Sequence, residues 1–119
     1  MGAQDFYDVV ARCETNTDRK VAFNGLREAA QYDCGHAGYT GTIAEKQEFT
    51  FMKLVNEDTT FEEVHEAIDD GFDEVFEKLD VIFGEHNGET AFRRYSDKWG
   101  PALCYDTKSK TVFCGLASS

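Results

Sequence analysis

The apolar pattern of the first third of the chain predicts a strand followed by a helix. Residues 4–13 alternate as a strand does, and one face would consist of Tyr7, Val9, Ala11 and Cys13. The next apolar residues recur at intervals of three and four, as on one side of a helix: Ala22, Phe23, Leu26, Ala29 and Ala30. Residues 16–18 offer side-chain caps for the start of this helix, and Gly35 is suited to its end.

A second helix is predicted after Thr60, which forms a capping box with Glu63. Its apolar stripe would extend over about five turns and would consist of Phe61, Val64, Ile68, Phe72, Val75, Phe76 and Leu79. Residues 69–71 are a candidate kink in this helix. Residues 85–98 then read as a polar connection with a short helical turn at residues 90–95.

The remaining apolar runs have the composition of strands. Residues 38–43 and 49–55 are predicted as a hairpin with a turn at 45–48, and one long bent strand is the alternative. Residues 99–105 and 111–116 are predicted as a terminal hairpin. We therefore expect one α+β domain, residues 1–119, with a mostly antiparallel sheet of four to five strands and two helices packed on one face.

Composition narrows the classes of function. The formal net charge is −11, which disfavours direct binding to nucleic acid or to anionic membranes, since both require excess Lys and Arg. We expect no transmembrane span, because no apolar run approaches about 20 residues. The first residues are acidic and not apolar, so we also expect no signal peptide, and hence a reducing compartment with four free cysteines. A Cys104–Cys114 disulfide across the terminal hairpin is an alternative.

The negative charge is concentrated in residues 57–80, which contain 11 acidic residues and one basic residue, Lys78. One interpretation is a solvated outer helix face. The functional interpretation is an interaction face for a basic partner, made of Glu62, Glu63, Glu66, Asp69, Asp70, Asp73, Glu74 and Glu77. Metal binding by residues 69–74 is a third interpretation, although the spacing does not match an EF-hand, and we predict no metal and no cofactor.

A glycine-rich segment, residues 35–42, is the candidate ligand site. Its donors would hold a nucleotide or another small anion, and we assign to it His36, Tyr39, Thr40, Thr42, Lys46, Arg93 and Arg94. The segment follows a helix C-terminus, whose dipole disfavours anions, and it lacks a phosphate-binding fingerprint. Other interpretations are a capped helix end that leads into a strand, a zinc site based on Cys34 and His36, and ion pairing of Arg93 and Arg94 with the acidic helix.

Two motifs carry a resemblance to a group of proteins. Residues 35–46 (GHAGYTGTIAEK) and 97–102 (DKWGPA) resemble segments of small bacteriophage and mobile-element proteins that have no assigned function. The resemblance covers most of the chain. It implies a bacterial cytoplasm and action on host machinery.

These features lead to three hypotheses of function. The first is a non-catalytic cytoplasmic protein that binds and modulates a host protein with a basic surface, such as an anti-defence inhibitor. The second is a protein that sequesters a nucleotide through residues 35–42. The third is a phosphate-ester hydrolase with His36 as its base. No catalytic residue is assigned, and homo-oligomer formation stays open.

Overall fold

The computed structural model describes residues 3–34 and 42–118. Strand β1 (Ala3–Ala11) leads into helix α1 (Asn16–Cys34). A short 3-10 helix (Ile43–Glu45) and strand β2 (Phe49–Phe51) follow. Three helices come next, α2 (Phe61–Gly71), α3 (Glu77–Phe83) and α4 (Gly88–Ser96), and the chain closes with strands β3 (Ala102–Asp106) and β4 (Lys110–Ser118).

The four strands form one sheet in the order β1-β4-β3-β2. Strand β4 is antiparallel to both of its neighbours, and β2 pairs with β3 in parallel. The central strand β3 is buried along its whole length, as expected for a strand whose sequence is almost continuously apolar.

Helices cover both faces of the sheet. Helix α1 covers one face, where Phe23 packs against Phe113 and Cys104. Helices α2, α3 and α4 cover the other face, where Val64 and Leu79 pack against Tyr105. Successive β3 side chains alternate between the two cores, with Cys104 in one and Tyr105 in the other. Because both cores are covered by helices, β3 is apolar on both faces.

The predicted α+β class and four-stranded, mostly antiparallel sheet are confirmed, as is the terminal hairpin. The helices differ from the prediction in number and placement, since the described residues contain four α-helices, on both faces, and not two on one face. The polar connection predicted at residues 85–98 contains α4, which buries Ala91 and Tyr95 one helical turn apart. None of the described helices is long and apolar enough to cross a membrane.

The hairpin predicted for residues 38–55 is wrong in its second half. Strand β2 is only three residues long and pairs with β3 in parallel, with Phe49 opposite Ala102. Strand β2 lies at the edge of the sheet. Its two phenylalanines, Phe49 and Phe51, both pack against the α1 core. Residues 35–41 lie outside the described part, and Ile43 belongs to the 3-10 helix.

The long helix predicted after Thr60 is two helices. Helix α2 ends at Gly71, and α3 begins at Glu77 after a link in which Glu74 has a positive φ of 62°. A Cβ at Gly71 would collide with the ring of Phe92. The α4 ring therefore lies against the end of α2, and the chain turns there.

The register of the terminal hairpin excludes a Cys104–Cys114 disulfide. Cys114 lies opposite Leu103, and Cys104 lies opposite Phe113. Cys104 and Cys114 therefore belong to different cores, on opposite faces of the sheet. Both are free thiols.

Candidate functional site

The residues predicted as an acidic interaction face lie on the outer surface of α2, in the link that follows it and at the start of α3. Thr60 caps the start of helix α2, since its Oγ1 accepts a hydrogen bond from the Glu63 amide at 3.2 Å. Its inner side buries Val64, Ala67, Ile68 and Gly71, so the carboxylates are turned outward. Of the eight residues assigned to the face from the sequence, seven are exposed and Asp70 is half-buried.

Cations neutralise only part of this face. Lys78 Nζ lies 3.1 Å from an Asp70 oxygen and 3.4 Å from a Glu66 oxygen. The hydrogen bond to Asp70 is the main cause that raises the pKa of Lys78, so this lysine stays charged. His65 Nε2 lies 3.6 Å from Asp69.

The other five carboxylates have no cationic partner at ion-pair distance within residues 3–34 and 42–118: Glu62, Glu63, Asp73, Glu74 and Glu77. Glu62 and Glu63 lie in the first turn of α2, where the helix dipole favours negative charge. The face therefore presents a concentrated negative field at small cost to the fold.

Acidic residues outside this face have structural roles. Arg12 holds Glu57 with two hydrogen bonds of 3.0 and 2.9 Å. Asp80 Oδ1 accepts a hydrogen bond of 2.8 Å from the Gly88 amide, which joins α3 to the start of α4. Glu57 and Asp80 therefore stabilise the fold, in contrast to the exposed carboxylates of the acidic face.

The candidate ligand residues are only partly described. His36, Tyr39 and Thr40 lie outside the described residues. Thr42 caps the 3-10 helix, since its Oγ1 accepts a hydrogen bond of 3.2 Å from the Ala44 amide.

Lys46 is fully buried. Its Nζ donates hydrogen bonds to the carbonyl oxygens of Asp97 at 2.9 Å and Gly100 at 3.1 Å. Burial lowers the pKa of Lys46, and the nearby Asp97 opposes that shift. These bonds tie the end of the first motif, residues 35–46, to the second motif, residues 97–102. Lys46 therefore serves the packing of two loops.

Arg93 and Arg94 lie on the exposed side of α4. Arg93 Nη2 lies 2.9 Å from Glu89 Oε1, one turn earlier in the same helix, so its ion pair is with α4 itself and not with the acidic helix. With Thr90, Asp97 and Pro101, the two arginines line a shallow cavity of about 290 Å³. Asp97 connects this cavity to Lys46, but the ammonium group of Lys46 is bound to backbone carbonyls.

The sequence did not indicate the buried ion pair between Arg19 and Asp106. Arg19 also stacks on the Phe51 ring at 3.9 Å, and Thr111 Oγ1 donates a hydrogen bond of 2.6 Å to Asp106. The pattern had placed Asp106 in a turn, and only the alternation of β3 could have indicated a buried carboxylate there. This network joins α1 to the sheet.

The sequence also gave no sign of a set of buried polar atoms beneath α2. Tyr105 Oη and His65 Nδ1 are buried there without a hydrogen-bond partner in the described structure, and the Tyr7 hydroxyl is buried beside Tyr95. The His65 ring packs on Tyr7 with the centroids 4.5 Å apart. Burial is the largest cause that raises the pKa of both tyrosines, so their hydroxyls stay protonated. They do not provide a base for catalysis.

Within the same described ranges, no group of three or more His, Cys, Asp or Glu side chains is arranged to hold a metal ion. Comparison with protein-family models, curated proteins and solved structures found no match to this chain.

Proposed function

We propose that this protein is a non-catalytic phage-type protein of the bacterial cytoplasm that binds and modulates a host protein with a basic surface. An anti-defence inhibitor is the sharpest form of the proposal. The observation that supports it most is the set of five exposed carboxylates on α2 and the residues up to Glu77, which have no cationic partner among the described residues.

Physical reasoning supports docking through this face. A patch of one charge sign attracts a patch of the opposite sign and speeds the encounter of two proteins. The whole molecule has a net charge of −11, so its general field and its local face act in the same direction. A basic protein surface meets both conditions.

A charge-neutral variant tests the proposal. The variant carries Glu62→Gln, Glu63→Gln, Asp73→Asn and Glu77→Gln, which remove four charges and keep the side-chain volumes. A control variant carries Glu14→Gln, Asp18→Asn, Glu28→Gln and Glu48→Gln, at exposed positions away from the face. Partners are captured from a bacterial lysate and then purified for measurement of the dissociation constant.

We expect the face variant to bind its partner at least about tenfold more weakly than the wild type, and the control variant to bind within about threefold. Wild-type affinity should also fall as the ionic strength rises from about 50 to 500 mM, since exposed charges are screened. Equal capture by both variants, with an affinity that does not depend on salt, would contradict docking through this face.

The nucleotide and hydrolase hypotheses depend on residues 35–41, which lie outside the described part of the chain. Of the donors assigned to them elsewhere, Lys46 is bound to backbone carbonyls and Arg93 is paired with Glu89. No observation favours either hypothesis over protein binding.

A further inference from the structure

A groove lined by three phenylalanine rings and by charged side chains lies beside the acidic face, between the α2–α3 link and α4. Its volume is about 800 Å³, which is within the range of sites that hold several side chains of a ligand. Phe92 of α4 lies between two rings of the link. Its centroid is 5.0 Å from that of Phe72 and 5.8 Å from that of Phe76.

The link leaves large apolar side chains in contact with water. Phe72 is 53% exposed and Val75 is 45% exposed. Phe23 and Phe113, by comparison, are almost fully buried in the α1 core. Glu74, in the middle of the link, has a positive φ of 62°.

The charges beside the groove define what it would accept. Glu74 and Glu89 line it, and Arg93 is held by Glu89 at 2.9 Å. Glu74 has no such partner in the described part of the chain, and Asp73 next to it is also exposed. An occupant with apolar side chains against the phenylalanine rings and with positive charge near Asp73 and Glu74 would match this lining.

We propose that this groove receives the apolar side chains of an amphipathic, basic segment of the partner protein, while flanking Lys and Arg residues of that segment pair with the acidic face. This inference rests on the proposed function, and it adds that the partner is recognised by apolar anchors as well as by charge. Helical segments with apolar anchors three and four residues apart bind grooves of this kind.

Other occupants fit the charge less well. A second copy of this chain would bring another net charge of −11 to the same place. An anionic membrane surface would be repelled by Asp73 and Glu74. A basic protein segment is attracted by the same residues.

Two designed peptides distinguish the contribution of apolar contacts to binding from the contribution of charge. One has about 18 residues of leucine and lysine at helical spacing. The other is an oligolysine of equal charge. Binding of each is measured by calorimetry to the wild type, to Phe72→Ser, and to Ser96→Trp, which fills the groove without removing a packed side chain. Tyr32→Ser is the matched control, because Tyr32 is 90% exposed on α1, on the other side of the sheet.

We expect the leucine–lysine peptide to bind the wild type at least about tenfold more tightly than oligolysine, as burial of part of a phenylalanine ring and of leucine side chains would produce. Phe72→Ser and Ser96→Trp should each abolish this difference in affinity between the two peptides, and Tyr32→Ser should preserve it. Thermal unfolding of each variant checks that it is folded.

The outcomes distinguish the two proposals. Equal affinity for both peptides, lowered by salt and unchanged in Phe72→Ser and Ser96→Trp, would overturn the groove and support the charged face. The other outcome is a difference in affinity between the peptides that depends on Phe72, persists in the charge-neutral face variant and does not change with salt. This outcome would support the groove and overturn docking by charge. Absence of binding by either peptide would overturn both.

Discussion

Lys46 shows how a single charged residue can be part of the core. Its ammonium group is buried and donates to two carbonyl oxygens, from Asp97 and Gly100. A buried ammonium is unfavourable, which is why the pKa of Lys46 is lowered. The lysine nevertheless joins two loops through these two bonds, and the Asp97 carbonyl also accepts a hydrogen bond from the Gly100 amide.

Replacement of Lys46 by alanine should destabilise the fold by about 2–4 kcal/mol, because it leaves a cavity and removes the ammonium donor from two carbonyls. Lys46→Met, which keeps the apolar stem, should recover part of this loss. The measurement is the free energy of unfolding in urea, with Lys53→Ala as an exposed control. A loss below about 0.5 kcal/mol for Lys46→Ala would show that these bonds do not hold the two loops together.

The α2–α3 link interrupts the single long helix that the sequence predicts. Glu74 adopts a left-handed conformation with φ 62°, which is unfavourable for residues other than glycine. The fold retains this unfavourable conformation because the helices on both sides of the link are packed into one core, in which Val64 of α2 and Leu79 of α3 are fully buried.

Glu74→Gly should stabilise the protein by about 0.5–1 kcal/mol. Relief of the left-handed conformation contributes about 1–2 kcal/mol, and the greater freedom of glycine in the unfolded chain removes about half of it. Thermal unfolding measures the change. Asp73→Gly, at a neighbouring position whose φ is not positive, should destabilise the protein, and stabilisation by both changes would contradict this account.

Helix and strand periodicity predicted the elements whose apolar face is simple. Helix α1 and the terminal hairpin were predicted close to their observed positions, because caps, turn residues and spacing agree there. The break between α2 and α3 was not predicted, since Phe72 and Phe76 continue the helical spacing while they pack against Phe92 of a different helix. Contacts between distant segments decided that boundary.

The candidate site was predictable to the same extent. Five of the eight acidic residues could be assigned to the outer side of α2 from sequence alone, because helical spacing separates them from the buried stripe. Asp73 and Glu74 lie in the link, where helical spacing does not apply. The groove could not be predicted, since it exists only where the link meets α4. Lys46 was assigned to a ligand on the basis of its charge, and the sequence carries no signal that it is buried.

Both cores of the molecule contain tyrosine or cysteine side chains that stay protonated in the folded protein. Burial is the largest cause that raises the pKa values of three tyrosines, Tyr7, Tyr95 and Tyr105. It also raises the pKa of two thiols, Cys104 and Cys114. The ordinary values are 9.0 for a thiol and 10.0 for a phenol, so the unfolded chain releases these protons at a pH at which the folded chain keeps them.

We therefore expect stability to be unaffected by these five groups below about pH 9 and to fall as the pH rises above it. Each group contributes a slope of about 1.4 kcal/mol per pH unit once its unfolded form is ionised. Lys46 acts in the opposite direction, because its lowered pKa makes folding more favourable as the pH approaches its ordinary value of 10.5, but it is one group against five. With a total stability of about 5–15 kcal/mol, the domain should unfold near pH 11.

Alkaline titration followed by circular dichroism measures this transition, and two conservative variants test its cause. Tyr105→Phe removes a fully buried phenol whose hydroxyl has no hydrogen-bond partner in the described structure, so its midpoint should move to higher pH. Tyr32→Phe removes a phenol that is 90% exposed, and its midpoint should stay where it is in the wild type. Equal shifts in the two variants would mean that general repulsion among the many negative charges of this molecule, and not the buried protons, drives unfolding at high pH.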